Sequence, residues 1–126
     1  IAESAAAGNT SKEAEIKLTN VAKASLQELL VDYEDFLRVR GLKQWQPDDA
    51  RLAQTKRACV AHNDSEYYRK AMPERSAETI ANIAITLIHQ TDWLLNKLIE
   101  KLEIQFVENG GVKEQMTKAR KEYRGY

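Results

Sequence analysis

A single cysteine, two prolines and five glycines are spread over 126 residues, and each scarcity closes off a class of protein. One thiol, Cys59, forms no intramolecular disulfide and fits a reducing compartment. So few turn formers do not serve an all-β fold, which is punctuated by a turn every ~10 residues. No segment approaches the ~18 apolar residues of a membrane span, so none is expected, and a cytoplasmic location is. There is no excess charge of either sign. Lys and Arg number 19 and Asp and Glu number 19, so no whole-chain pull toward nucleic acid or an acidic membrane is supported. The leading "IAESAAA" is small and apolar but lacks a basic n-region and a long h-region, so it is not a complete signal peptide. There is also no initiator Met. The expectation is a processed product, a fragment, or an incomplete copy of a longer chain.

What is present is helix. With 43% hydrophobic and 30% charged residues the chain reads as ordered and soluble. Residues 1–126 suffice for one domain with a real core. In "NTSKEAEIKLTNVAKASLQELLVDYEDFLRVRG", residues 9–41, Thr10 and Glu13 have capping-box spacing. Leu18, Ala22, Ser25, Leu26, Leu29, Tyr33, Phe36 and Leu37 then recur at three- and four-residue steps, one apolar stripe on a helix. Glu13 with Lys17 and Glu34 with Arg38 are i,i+4 pairs for the wet side. Gly41 suits the position just past the helix end. The predicted rod is about 45 Å long.

"LKQWQPDD" is a linker in which Pro47 stops one helix and Asp48 or Asp49 caps the next, over 49–62. "HNDSE" either starts a separate short helix through "YYRKAM" or is run through by the second; the pattern leaves both open. Pro73 breaks the chain. From Ser76 to Asn109 runs a second rod. Ile80, Ile83, Ala84, Leu87, Thr91, Leu94, Leu95, Leu98, Leu102 and Phe106 mark its apolar face, and Ile85, Ile88, Ile99 and Ile104 widen it past one stripe. Such a helix is central in a bundle or touches two partners. "ENGG" stops it, and residues 112–126 form a last basic helix. The fold class is therefore all-α, an up-and-down four-helix bundle in which two rods pack antiparallel and shorter helices cover the remaining sides.

Chemistry is sparse. The residues three before His62 and His89 are Cys59 and Thr86, so the Glu-x-x-His motif of di-iron bundles is absent. "CVAH" would put Cys59 and His62 on one helical face, but two ligands do not close a tetrahedral metal site. His89, beside Gln90 and Asp92, has no marked nucleophile to serve and reads as a polar residue within or beside the bundle. No glycine-rich loop precedes a lysine, so no phosphate cradle is formed. Trp45, Trp93, Tyr67 and Tyr68 read as packing or interface groups. No catalytic set, cofactor, metal or small-molecule substrate is indicated. Residues 76–109 sum to −3 and residues 112–126 to +3. The latter carry Lys113, Lys118, Arg120, Lys121 and Arg124, which read either as a solvated helix end or as a docking strip for RNA, DNA or an acidic protein surface. A second cationic set is Lys56, Arg57, Arg69 and Lys70.

"IAES" followed by "SKEAEIKLTNVAKASLQELL" resembles the central motif of the four-helix-bundle proteins encoded in intervening sequences of bacterial 23S rRNA genes. The matching residues are Ile1, Ala2, Glu3, Ser4, Ser11, Lys12, Glu13, Ala22, Ser25, Leu26, Glu28 and Leu29. The stretch from "IANIAITLIHQTDWLL" through "FVENGGVKEQMTKAR" is similar to the subgroup with a C-terminal suffix. Ser4 stands where that family usually has Gly, and the family's first helix and the start of its second have no counterpart here. Either an upstream region is missing, or 49–72 and the C-terminal helix close the bundle instead. The resemblance implies homo-oligomers, rings of five. A related group binds the reverse transcriptase and nucleic acid of diversity-generating retroelements, and no member is an established enzyme. The expectation is a non-enzymatic scaffold or adaptor for nucleic acid or a nucleic-acid enzyme; the alternative is a protein-interaction bundle with no nucleic-acid role.

Overall fold

The computed structural model describes residues 2–109, with side chains from 11 to 108. It is all-α. Four helices follow in order, α1 (Ala2–Val39), α2 (Ala50–Ala61), α3 (Ser65–Ala71) and α4 (Ala77–Asn109), with no strand among the described residues.

α1 starts earlier than the capping-box pattern indicates. Its 38 residues extend about 57 Å, and Thr10 and Glu13 lie inside it. Alanines 5 to 7 are strong helix formers, which carry the helix across Gly8 at a cost of ~1 kcal/mol. The other end is as expected. Gly41 takes φ +66, its N–H donates to the Arg38 carbonyl at 3.2 Å, and Leu42 N–H donates to the Leu37 carbonyl at 2.9 Å. These two bonds are a Schellman motif, and Leu42 packs on the core near Leu37. Asp49 caps α2 by accepting from Arg51 N–H at 2.9 Å. Asp64 caps α3 by accepting from Tyr67 N–H at 2.8 Å, which settles the "HNDSE" ambiguity as a break. Ser76 Oγ accepts from Thr79 N–H at 3.2 Å at the head of α4.

The chain divides into two compact units, one of Ile1–Ala24 with Leu94–Tyr126 and the other Ser25–Trp93. In Ser25–Trp93, Leu30, Leu37, Ala81, Ile85 and Ile88 form the core, with Leu26, Tyr33, Phe36 and Leu42 packed against it. The two helices run antiparallel: Gln27 Nε2 donates to Asp92 Oδ1 at 3.3 Å and Lys43 N–H to Glu78 Oε1 at 2.7 Å. The opposite side of α4 receives the α1–α2 connection and the short helices, and Trp45, Cys59, Asn82, Ile83 and Thr86 are buried there. α4 thus touches two partners, as its wide apolar face requires.

In the other unit the covered side of α1 carries Ile16, Thr19 and Lys23, and that of α4 carries Leu95, Asn96, Ile99, Leu102 and Phe106. Lys23 Nζ donates to Asn96 Oδ1 across the pair. Thr19 Oγ1 donates back to the Glu15 carbonyl at 2.7 Å, so its buried hydroxyl stays paired. Lys17 pairs with Glu13 at 3.5 Å, as the spacing indicates.

The covered stripe of α1 differs from the one its leucines suggest. The buried or half-buried positions are 12, 16, 19, 23, 26, 30, 33, 34, 36 and 37, so Leu26, Tyr33, Phe36 and Leu37 of the expected stripe are covered. Leu18, Ala22, Ser25 and Leu29 are exposed. Leu29, expected at the centre of the stripe, is 43% exposed. The expected Glu34–Arg38 pair is also replaced: Arg38 bonds Asp35 at 3.2 Å and Glu34 accepts from Gln44 Nε2 at 3.0 Å.

Candidate functional site

Two of the concave features within Ser25–Trp93 bring several elements together. The first is an open groove of about 320 Å³ between α1 and α4, lined by Leu29, Asp32, Tyr33, Phe36, Ala77, Ile80 and Ala81. Its walls follow from helical arithmetic. α1 carries a second apolar stripe at 18, 22, 25, 29 and 36, rotated about 90° from the covered one. α4 carries another at 80, 84, 87, 91, 94 and 98. Inside this unit, Leu29 and Phe36 face the groove together with Ile80. The groove's one acidic residue is Asp32 on α1, exposed and in no ion pair among the described residues. The short helices do not cover this side. They cover the opposite side of α4, and the expected last helix over 112–126 lies outside the described residues.

The second feature is a cleft of about 260 Å³ enclosed by α2, α3 and the start of α4. Trp45, Cys59 and Ile83, all buried, line its depth. Trp45 is held by Asn82, which is 2% exposed. Asn82 Oδ1 accepts from Trp45 N–H at 2.8 Å, while Nδ2 donates to the Lys43 carbonyl at 2.9 Å and the Glu78 carbonyl at 2.8 Å. The amide spends one acceptor and both donors on three backbone groups, which pins the connection to α4. The Arg51 guanidinium lies 4.9 Å from the centre of the Trp45 ring and pairs with Asp49 at 2.8 Å and Glu78 at 3.5 Å. Hydrogen bonds from the Arg51 side chain and backbone hold the Asp49 carboxyl down at about 2. Burial pushes the Cys59 thiol up, and a hydrogen bond with Tyr68 opposes this. Burial also raises Tyr68, and the neighbouring Cys59 adds to it.

The residues singled out in the sequence separate. Cys59 and His62 do not share a helical face, because α2 ends at Ala61 and His62 is its C-cap in extended backbone (φ −127, ψ 107). The His62 ring instead stacks on Tyr67 at 3.7 Å and 2°, and its carbonyl accepts from the Tyr68 hydroxyl. His89 is exposed. Trp45 is buried, whereas Trp93 is 59% exposed. Lys56, Arg57, Arg69 and Lys70 are all exposed, and Arg69 pairs with Glu66 at 3.0 Å. Lys113, Lys118, Arg120, Lys121 and Arg124 lie outside the described residues. No group of three or more His, Cys, Asp or Glu side chains is placed to hold a metal ion among the described residues.

Asn82 escaped the sequence reading. It interrupts the apolar run "TIANIAITLI", and an amide inside such a run has to find partners when buried. Comparison with models of known families, with curated proteins and with solved structures gives no match for this chain.

Proposed function

We propose that the protein is a non-enzymatic, homo-oligomeric helical-bundle scaffold or adaptor. The observation that carries this reading is the groove between α1 and α4 in Ser25–Trp93, with its apolar lining open to solvent. A helix pair with a second apolar stripe at the same three- and four-residue spacing as its covered one is built to receive another helix. Subunits that repeat one such contact close into a ring when the rotation allows. The resemblance to the rRNA intervening-sequence proteins adds five as the subunit number. Sedimentation equilibrium at micromolar concentration tests this. A single species several times 14.4 kDa is expected, and a monomer ends the proposal.

The partner we propose is nucleic acid or a nucleic-acid enzyme, contacted through phosphates rather than bases. Lys56, Arg57 and Lys70 support it, being exposed and outside any ion pair among the described residues, alongside the cations of 112–126. Affinity for RNA or DNA should then fall steeply with salt and vary little with sequence. Binding that is absent at low salt favours the alternative, a protein-interaction bundle with no nucleic-acid role.

A further inference from the structure

The cleft over Trp45 has a chemistry that the scaffold reading does not use. Its lining contains two guanidiniums, Arg51 and Arg75, and no carboxylate. Arg51 is neutralised from behind by Asp49 and Glu78. Arg75 is not: it is exposed, its Nε donates to the Ala71 carbonyl at 2.9 Å, and its two terminal nitrogens bond no described residue. Trp45, whose ring lines the cleft, keeps its Nε1 buried with no hydrogen-bond partner. The cleft therefore carries one uncompensated positive charge, on Arg75.

The rest of the lining has a polar side, with Gln54, Thr55 and Thr79, and an apolar one. Ala58, Ala71, Met72 and Ile83 stand around the indole and the Cys59 thiol. The walls are held in place. Tyr67 is sandwiched between the His62 stack at 3.7 Å and an edge contact with Tyr68 at 5.0 Å, and Asn82 fixes the Trp45 backbone. A volume of about 260 Å³ lies just under the ~300 Å³ lower end of common ligand sites, so the occupant is of metabolite size. One free guanidinium selects a single negative charge, and the apolar side of the lining, Trp45, Ala58, Ala71, Met72 and Ile83, suits a hydrophobic body that inorganic phosphate does not have.

We propose that this cleft binds a small aromatic or branched aliphatic monocarboxylate, with the carboxylate on Arg75 and the apolar body against Trp45, Met72 and Ile83. A carboxylate on Arg75 compensates its charge and engages the two terminal nitrogens that bond no described residue. A charge-assisted, two-bonded Arg–carboxylate contact gives orientation along with affinity.

The test uses the full chain with Trp93→Phe, which leaves Trp45 as the single tryptophan. Its indole N–H resonance in a ¹H–¹⁵N spectrum is followed while 3-phenylpropionate is titrated in. A saturable shift is expected. The neutral 3-phenylpropionamide, and the Arg75→Gln variant with the acid, should each bind about tenfold more weakly. The indole resonance of unliganded Arg75→Gln should coincide with the parent's, which shows that the cleft is intact. No saturable shift up to about 10 mM overturns the proposal. So does equal binding of acid and amide, or an undiminished affinity in Arg75→Gln.

Discussion

Replacing Asn82 with alanine should cost about 2–4 kcal/mol of folding stability, although it removes no apolar contact of consequence. The figure follows from the three groups that Asn82 serves. Trp45 N–H is left in a buried site without an acceptor, a loss of ~1–3 kcal/mol. The Lys43 carbonyl is only partly buried and reaches water in the mutant, so its share is nearer ~0.5–1.5 kcal/mol. The Glu78 carbonyl belongs to α4 and keeps its helical partner, which leaves its loss small. Thr86→Val is the control. Thr86 is equally buried at 3% exposure, but its hydroxyl donates only to the Asn82 carbonyl at 2.9 Å, so a change below ~1 kcal/mol is expected. Asn82→Asp should be worse than alanine at neutral pH, since a carboxylate then faces two carbonyls. Its deficit should shrink as pH falls toward ~4 and the acid regains a donor. The assay is urea unfolding followed by circular dichroism at one fixed protein concentration, because an oligomer's apparent stability depends on it. Asn82→Ala within about 0.5 kcal/mol of the parent would refute the reasoning, and so would Thr86→Val matching it.

Leu29→Asp should leave the helical content and the urea midpoint of the subunit nearly unchanged, because Leu29 is 43% exposed, while shifting sedimentation toward the monomer; a collapse of the fold would place Leu29 inside the core. Asp49→Asn should flatten the acid arm of the stability profile. A carboxyl held down at about 2 from its ordinary 3.8 stabilises the fold fully above pH ~4 and loses that contribution as pH falls toward 2, so parent and variant should converge in that window; parallel profiles would deny the Asp49–Arg51 contact a role. Gly41→Ala should cost ~1–2 kcal/mol by thermal melting, and Gly41→Asn less. Nothing lies within 4 Å of an added Cβ, so the cost is all conformational, and an alanine variant as stable as the parent would show that the φ of +66 is not held.

The helix ends were readable in advance because caps act locally. Gly41, Asp49 and Ser76 each bond within a few residues of themselves, so their spacing carried the information, whereas "HNDSE" left the Asp64 cap open. The start of α1 was not readable, because a capping box matters only where a helix must begin, and alanines 5 to 7 let this one begin sooner. The covered face of α1 was read rightly at Leu26, Tyr33, Phe36 and Leu37 and misjudged at Leu18, Ala22, Ser25 and Leu29, for a different reason. Two stripes share the same spacing, and the one that is covered includes Thr19 and Lys23, which a reading by hydropathy assigns to water. Lys23 is tolerated there because Asn96 of α4 meets it, and no local rule reveals a partner 73 residues away. The same holds for the Trp45 cleft, whose walls come from four separate stretches of chain.

From Ile80 to Ile88 no residue of α4 is exposed, and the folded protein gains a hub from this. The unfolded chain inherits a hazard. Residues 79–91 contain no Asp, Glu, Lys, Arg, Gly or Pro, and seven of the thirteen are isoleucine or threonine. β-branched residues disfavour helix and suit a strand, so this stretch is helical because its neighbours enclose it. Released from them it is a segment of cross-β character with no gatekeeping charge of its own. Glu78 and Asp92, one at each end, are the nearest charges that oppose stacking. Every opening of Ser25–Trp93 that frees α4 therefore offers an aggregation seed, and variants that loosen the Asn82 clamp should form insoluble material sooner than their loss of stability alone would suggest.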